Sequence, residues 1–228
     1  MRVAGHLPFE GLHARLDRGE QEKAERFRFT QDRDAFVAAH ALLRHQLDRA
    51  AAGRHAWKFR RQAGGKPVVE EGLPQLCFSL SHCRGMVAVA VAQGLDVGVD
   101  VEAAGSTRRG EGVIDLVLAP AERAFVAAAT DEATWCDRFF AFWTLKEAVI
   151  KATGQGLAAD LPGFAIALTP LRLLTPGPDG SAADLWRLHR QAVDGYRLAA
   201  AARISGAQQV AFRVEEVTPD HLLGRPEA

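Results

Sequence analysis

Cys77-Phe78-Ser79-Leu80-Ser81, the turn Arg84-Gly85, Met86-Val87-Ala88-Val89-Ala90-Val91-Ala92, the turn Gln93-Gly94 and Leu95-Asp96-Val97-Gly98-Val99-Asp100-Val101-Glu102 decide how this chain is read. Short runs rich in Val and alternating in polarity, broken by Gly-containing turns, predict consecutive antiparallel strands. In the last run Val97, Val99 and Val101 face one side, and Gly98, Asp100 and Glu102 the other. Two carboxylates then stand about 7 Å apart on one strand face, beside a glycine with no side chain. A solvated strand face ending in acids explains this. So does a shared hard cation, for which oxygen ligands suit magnesium.

Upstream, Asp34 to Ala52 places Phe36, Val37, Leu42, Leu43 and Leu47 at helical intervals and ends at Gly53, which predicts a helix. Downstream, Pro120 to Ala129 reads as a helix with an early proline, and Thr134 to Thr153 as a long one closed by Gly154. Strands are expected at Phe164–Leu168, Leu185–Gln191, Tyr196–Ile204 and Gln209–Val217. The order strand, Arg84-Gly85, Val/Ala strand, Gly94, strand is echoed by strand, Asp194-Gly195, Ala-rich strand, Gly206, strand. This predicts an α+β chain of two similar halves, 1–103 and 104–228, each an antiparallel sheet packed on helices.

The chain has 228 residues with 28 basic and 28 acidic side chains, 48% hydrophobic and 25% charged. That is a globular composition, and its zero balance argues against nucleic acid or an anionic membrane held by bulk charge. The longest apolar run, Met86 to Ala92, falls far short of the ~20 residues of a membrane span. Met1 to Pro8 carries no apolar core of signal-peptide length, so a cytoplasmic protein is expected. Cys77, Cys83 and Cys136 have no metal-ligand spacing and read as reduced thiols.

On the long helix, Phe140, Trp143, Glu147 and Lys151 share a sector about 80° wide, so Glu147 and Lys151 extend an aromatic stripe. An ordinary i, i+4 surface pair is the competing explanation. Lys146 lies between Phe139, Phe142 and Ile150 on the apolar side, where it needs a partner or an escape to water. Ser81 and His82 are adjacent on a strand, point to opposite faces and lack a Gly-x-Ser-x-Gly elbow, which excludes a serine hydrolase pair. They suit separate phosphate donors better. Arg54, His55, Lys58, Arg60, Arg61 and Lys66 form a basic run without an acid until Glu70, suited to phosphate groups or simply solvated.

Taken together, Gly64-Gly65-Lys66-Pro67, Ser79-Leu80-Ser81-His82, Gly98-x-Asp100-x-Glu102 and Trp143-x-x-Lys146-Glu147-x-x-x-Lys151-x-x-Gly154-x-Gly156-Leu157 resemble the Sfp-type 4′-phosphopantetheinyl transferases, from roughly Glu22 to Leu157. The resemblance implies a monomer of two pseudo-twofold-related halves with coenzyme A in the cleft between them. Asp100, Glu102 and Glu147 would hold Mg²⁺ on the coenzyme A pyrophosphate, and Lys151 would face the bridging oxygen or the α-phosphate. Lys66, Ser81 and His82, helped by Arg61, would contact the 3′-phosphate and nearby phosphates. His40 stands where family members often carry a phosphate-binding arginine, with Arg44 beyond it on the same helix. Ser79 replaces a common asparagine.

The implied reaction moves the 4′-phosphopantetheine arm to a serine of an apo acyl or peptidyl carrier protein and releases 3′,5′-ADP. Glu147 is the expected proton acceptor, with Glu122 as an alternative. The carrier is expected to dock on Val113–Leu118 beside Arg108 and Arg109. A metal-dependent nuclease would want a lysine on the strand after Asp100, and Asp100-Val101-Glu102-Ala103-Ala104 has none.

Overall fold

In the computed structural model, which describes residues 1–3, 7–62, 64–104 and 113–224, three helices come first: α1 (Phe9–His13), α2 (Arg18–Glu25) and α3 (Thr30–Ala50). Asp17 and Glu20 close a reciprocal box at the start of α2, each carboxylate accepting from the other's amide at 2.9 and 3.1 Å. Such a box satisfies amides that a helix start leaves unpaired. α3 begins earlier than its apolar pattern suggests and buries Phe36, Val37, Leu42, Leu43 and Leu47.

β1 (Phe59–Arg61) and β2 (Pro67–Val69) pair across the Gly-Lys-Pro turn. β3 (Leu76–Cys83) and β4 (Met86–Gln93) form the expected hairpin, in register from Leu76 opposite Gln93 to Cys83 opposite Met86. β5 (Asp96–Ala103) departs from expectation, because it pairs with a strand of the second half and not with β4. Its amides toward β3 meet serine hydroxyls instead of a ladder: Val99 N donates to Ser79 Oγ at 3.1 Å and Val101 N to Ser81 Oγ at 3.4 Å.

The second half contributes α4 (Ile114–Val117), α5 (Pro120–Ala127), α6 (Glu132–Thr153), the small ladder β6 (Ile166–Leu168) and β7 (Leu171–Leu173), β8 (Trp186–Val193) and β9 (Tyr196–Arg203). The sheet order is β5-β9-β8, so a first-half strand edges a second-half sheet. α6 is capped by Asp131, whose carboxylate accepts from Thr134 N at 2.8 Å, and ended by Gly154 at φ 75°. Phe139, Phe142, Leu145 and Val149 of α6 pack with Phe164, Ile166 and Trp186 in one core.

Gln209–Val217 forms no regular strand, contrary to the repeat pattern, and most of it is exposed. Of its apolar residues only Val217 is fully buried, joining Leu12, Val37 and Leu222 of α7 (Pro219–Leu222) in the N-terminal core, while Phe212 stacks on the His189 ring. The C-terminal segment therefore returns to the first half.

Candidate active site

Backbone contact between β5 and α6 creates the site. A Cβ on Gly98 would collide with the Ala148 carbonyl oxygen and lie 2.6 Å from Ala152 N, so only glycine lets the strand lie flat on the helix. Asp100, two residues along on the same face, is thereby delivered to α6. Lys151 Nζ donates to Asp100 Oδ1 at 2.5 Å and to Ser81 Oγ at 2.9 Å, and Ser81 Oγ reaches the same Asp100 oxygen at 2.8 Å. Asp100 is 3% exposed and its other oxygen, Oδ2, is buried without a hydrogen-bond partner. A buried carboxylate oxygen left bare is costly unless something of opposite charge arrives.

Two further carboxylates surround it. Burial, then repulsion from Asp100, raises the pKa of Glu102, with the Trp143 indole and Lys151 pulling the other way. Trp143 Nε1 donates to Glu102 Oε1 at 3.3 Å. Burial and Asp100 likewise raise Glu147, against Lys151. Three crowded carboxylates share one lysine, an arrangement that favours a further cation. Among the described residues no three His, Cys, Asp or Glu side chains form a closed metal cage. The bare Asp100 Oδ2 is the feature that fits Mg²⁺.

The structure places the remaining expected residues around this centre. A Cβ on Gly64 would collide with the Gly154 carbonyl oxygen, so the Gly64-Gly65 turn seats against the end of α6. Lys66 Nζ crosses from that turn to the carbonyls of Ala152 at 2.7 Å and Val97 at 3.2 Å, and burial lowers its pKa. Arg61 NH1 donates to Gly65 O at 2.8 Å. His82 lies on the opposite strand face to Ser81 and is exposed. The surrounding protein lowers its pKa, as do Lys151, His40 and Lys23, with Asp32 opposing. Lys66 and Arg61 make a cationic margin to the acidic centre, with the His82 imidazole beside it.

His40 and Arg44 face a carboxylate cluster. His40 Nδ1 lies 2.7 Å from Glu20 Oε1, while Arg44 bonds Glu20 through Nε, Asp17 through NH2 and the Trp57 carbonyl through NH1. Glu122, the alternative proton acceptor, is closed off. Its oxygens accept from the amides of Ala119 and Ile166 at 2.8 Å each, and Lys146 Nζ sits 2.8 Å from Oε2. Lys146 completes its own shell on the carbonyls of Leu161 and Phe164. Glu122 therefore holds the fold and is not available to a substrate proton.

Ser79 as a strand-edge acceptor and Trp143 as a partner of Glu102 escaped the residue-by-residue reading. Trp143 was legible in principle, since it shares the Glu147 stripe. Arg108 and Arg109 lie outside the described residues. Val113, Ile114 and Leu116 lie on and around α4, with Leu116 66% exposed.

Comparison with known proteins gives two family matches: the 4′-phosphopantetheinyl transferase superfamily over residues 96–201 and the 4′-phosphopantetheinyl transferase N-terminal family over residues 7–94. The chain is 33% identical to 4′-phosphopantetheinyl transferase HetI of Nostoc sp. over 71% of its own length and 68% of the relative's. It is 34% identical to 4′-phosphopantetheinyl transferase psf-1 of Bacillus pumilus over 64% of this chain and 61% of that one. It is 29% identical to the human L-aminoadipate-semialdehyde dehydrogenase-phosphopantetheinyl transferase over 68% of this chain, which spans about half, 53%, of that protein.

Proposed function

Because the chain belongs to the 4′-phosphopantetheinyl transferase superfamily, we propose that it transfers the 4′-phosphopantetheine arm of coenzyme A to a serine of an apo acyl or peptidyl carrier protein, releasing 3′,5′-ADP. The observation that carries this reading is the half-satisfied Asp100, bound to Ser81 and Lys151 on one oxygen, bare on the other, and flanked by Glu102 and Glu147. Asp100, Glu102 and Glu147 would hold Mg²⁺. The ion supplies charge neutralisation on the pyrophosphate oxygens.

The chain's own groups do the rest. The carrier serine oxygen forms a bond to the β-phosphorus, its proton passes to Glu147, and the bond from that phosphorus to the bridging oxygen breaks. Glu147 would take the proton as a carboxylate buried beside Asp100. Lys151 reaches the oxygen on which charge collects. It is 30% exposed, so it can turn from Asp100 to substrate. Phosphoryl transfer of this kind depends on alignment and charge placement, and the Gly98 contact fixes both the strand and the helix that carry these groups.

Ser81, His82, Lys66 and Arg61 would line the phosphates of coenzyme A, with His40 at the margin and Arg44 holding α3 to α2 behind it. Leu116 and Phe125, exposed on α4 and α5, together with Val113 and Ile114, offer an apolar face for an amphipathic carrier helix. No helix among the described residues is long and apolar enough to cross a membrane.

Mass spectrometry of an apo carrier incubated with the protein, coenzyme A and Mg²⁺ tests the proposal. A gain of one phosphopantetheine arm, absent without the enzyme, supports a transferase. An unmodified carrier across fatty-acid, polyketide and peptide carriers would overturn it.

A further inference from the structure

At the C-terminal end of α3 lies a pocket of about 470 Å³ that shares no residue with the Asp100 site. It is lined by Arg15, His45, Asp48, Arg49, Arg54 and His221, among others. Its members come from the segment after α1, from α3, from the turn after α3 and from α7. The rings of His45 and His221 meet edge to face at 5.6 Å. Arg15 reaches the Leu222 carbonyl through NH1 at 2.7 Å, and its NH2 stops 3.9 Å from Asp48 Oδ2.

Charge in this pocket is lopsided. Three guanidiniums face Asp48, whose Oδ1 is already taken by Trp57 Nε1 at 2.7 Å and the His55 amide at 3.2 Å. Glu215 engages Arg49 at 2.7 Å from outside. The carbonyl end of α3 adds only about half a negative charge. Arg54 is exposed and forms no ion pair with any described residue. Burial lowers the pKa of His45, as do Arg15, His221 and Arg49, with Asp48 opposing.

Two buried atoms of residues that line the pocket lack hydrogen-bond partners: Arg15 Nε and His45 Nε2. A guanidinium N–H can only donate, so Arg15 Nε requires an acceptor, and a buried donor without one costs about 1–3 kcal/mol. Water would satisfy the donor but leave the charge. A tetrahedral oxyanion would do both, since its several acceptor oxygens match converging guanidinium donors.

We propose that this pocket is an oxyanion site that takes a phosphate group, free or esterified, and ties α7 to α3. The site draws on Arg54, the first member of the basic run that the Asp100 centre does not use. Bound there, the anion links the returning C-terminal segment to the N-terminal half through His221, His45, Arg15 and Arg54.

The test is a titration of the full chain with inorganic phosphate at constant ionic strength, following the ring resonances of His45 and His221 by NMR. Both are expected to shift saturably, while His189 on β8 stays still and His82 reports separately on the Asp100 side. Arg54→Gln, a change at an exposed position, is expected to raise the half-saturation concentration at His45 and His221 about fivefold or more, and to leave the His82 response as it was. Phenyl phosphate run in parallel distinguishes the source, since tighter binding of the ester points to esterified phosphate and tighter binding of the free ion to inorganic phosphate. Absence of a saturable shift at His45 and His221, or an unchanged half-saturation in Arg54→Gln, would overturn the proposal.

Discussion

Lys146 and Lys151 stand on the same helix, and each pairs with a carboxylate from another element, yet the two pairs are built oppositely. Lys146 is 0% exposed and meets Glu122 and two carbonyls, while Glu122 receives two amides as well. Every strong donor and acceptor there is used, and the pair fastens α5, α6 and the segment before β6 together. Lys151 is partly open, its partner Asp100 keeps one bare oxygen, and two more carboxylates crowd the same lysine. A closed polar cluster specifies a fold, whereas an unfinished one, kept buried at a cost, marks where a ligand completes the chemistry.

The strongest way to break this contrast is at the unfinished pair. Asp100→Ala and Glu147→Gln are each expected to lower carrier modification by about a thousandfold or more, on the scale of a lost metal or electrostatic contact. Neither should unfold the protein. Glu147→Gln removes a carboxylate whose pKa is raised by burial and Asp100, so its metal-free melting temperature should equal or exceed that of the wild type. Activity assays beside thermal melts check both halves, and retained transfer in either variant would remove the metal-site assignment.

At the closed pair the outcome should invert. Lys146→Met leaves Glu122 as an uncompensated buried charge and should cost about 3–5 kcal/mol of stability in denaturant titrations. Transfer per folded molecule should stay near the wild-type rate. A variant of normal stability with lost turnover would instead move Lys146 into the catalytic machinery.

Sequence patterning exposed much of this, and physical reasons explain where it stopped. The Gly98-x-Asp100-x-Glu102 alternation and the Glu147–Lys151 stripe placed the open site, because side-chain direction in strands and helices follows from local geometry. The same reasoning showed that Lys146 needed a partner but could not name Glu122, which lies a helix away. Nor could it foresee β5 crossing to β9. Strand pairing between halves depends on the flat packing of Gly98 on Ala148 and Ala152 and on the Ser79 and Ser81 hydroxyls replacing a ladder. The segment 209–217 carried strand-like alternation but pairs with none of the sheets.

Lys151→Ala sharpens the contrast within the open site. It should reduce kcat about a hundredfold, the scale of one lost donor to a developing charge, and change the coenzyme A affinity much less, because its charge matters most as the bridging oxygen leaves. Single-turnover kinetics separate the two quantities. An effect confined to affinity would make Lys151 a binding group only.

Glu20 lies between the two extremes and gives the smallest and most diagnostic change. Burial alone would raise its pKa, but the hydrogen bond and charge of His40, the charge of Arg44 and the Asp17 amide lower it below the ordinary 4.5. A carboxylate whose folded value is depressed stabilises the protein above its unfolded pKa and loses that contribution as pH falls through the folded value. Glu20→Gln should therefore cost about 2 kcal/mol near neutral pH, and the gap to wild type should close below the ordinary carboxylate range. If the cluster is closed like the Glu122 pair, turnover and coenzyme A affinity per folded molecule stay unchanged while the pH-dependent gap appears. A pH-independent gap, accompanied by altered coenzyme A affinity, would place His40 and Arg44 with the Asp100 site instead, because freeing them from Glu20 would then add cations to the phosphate margin.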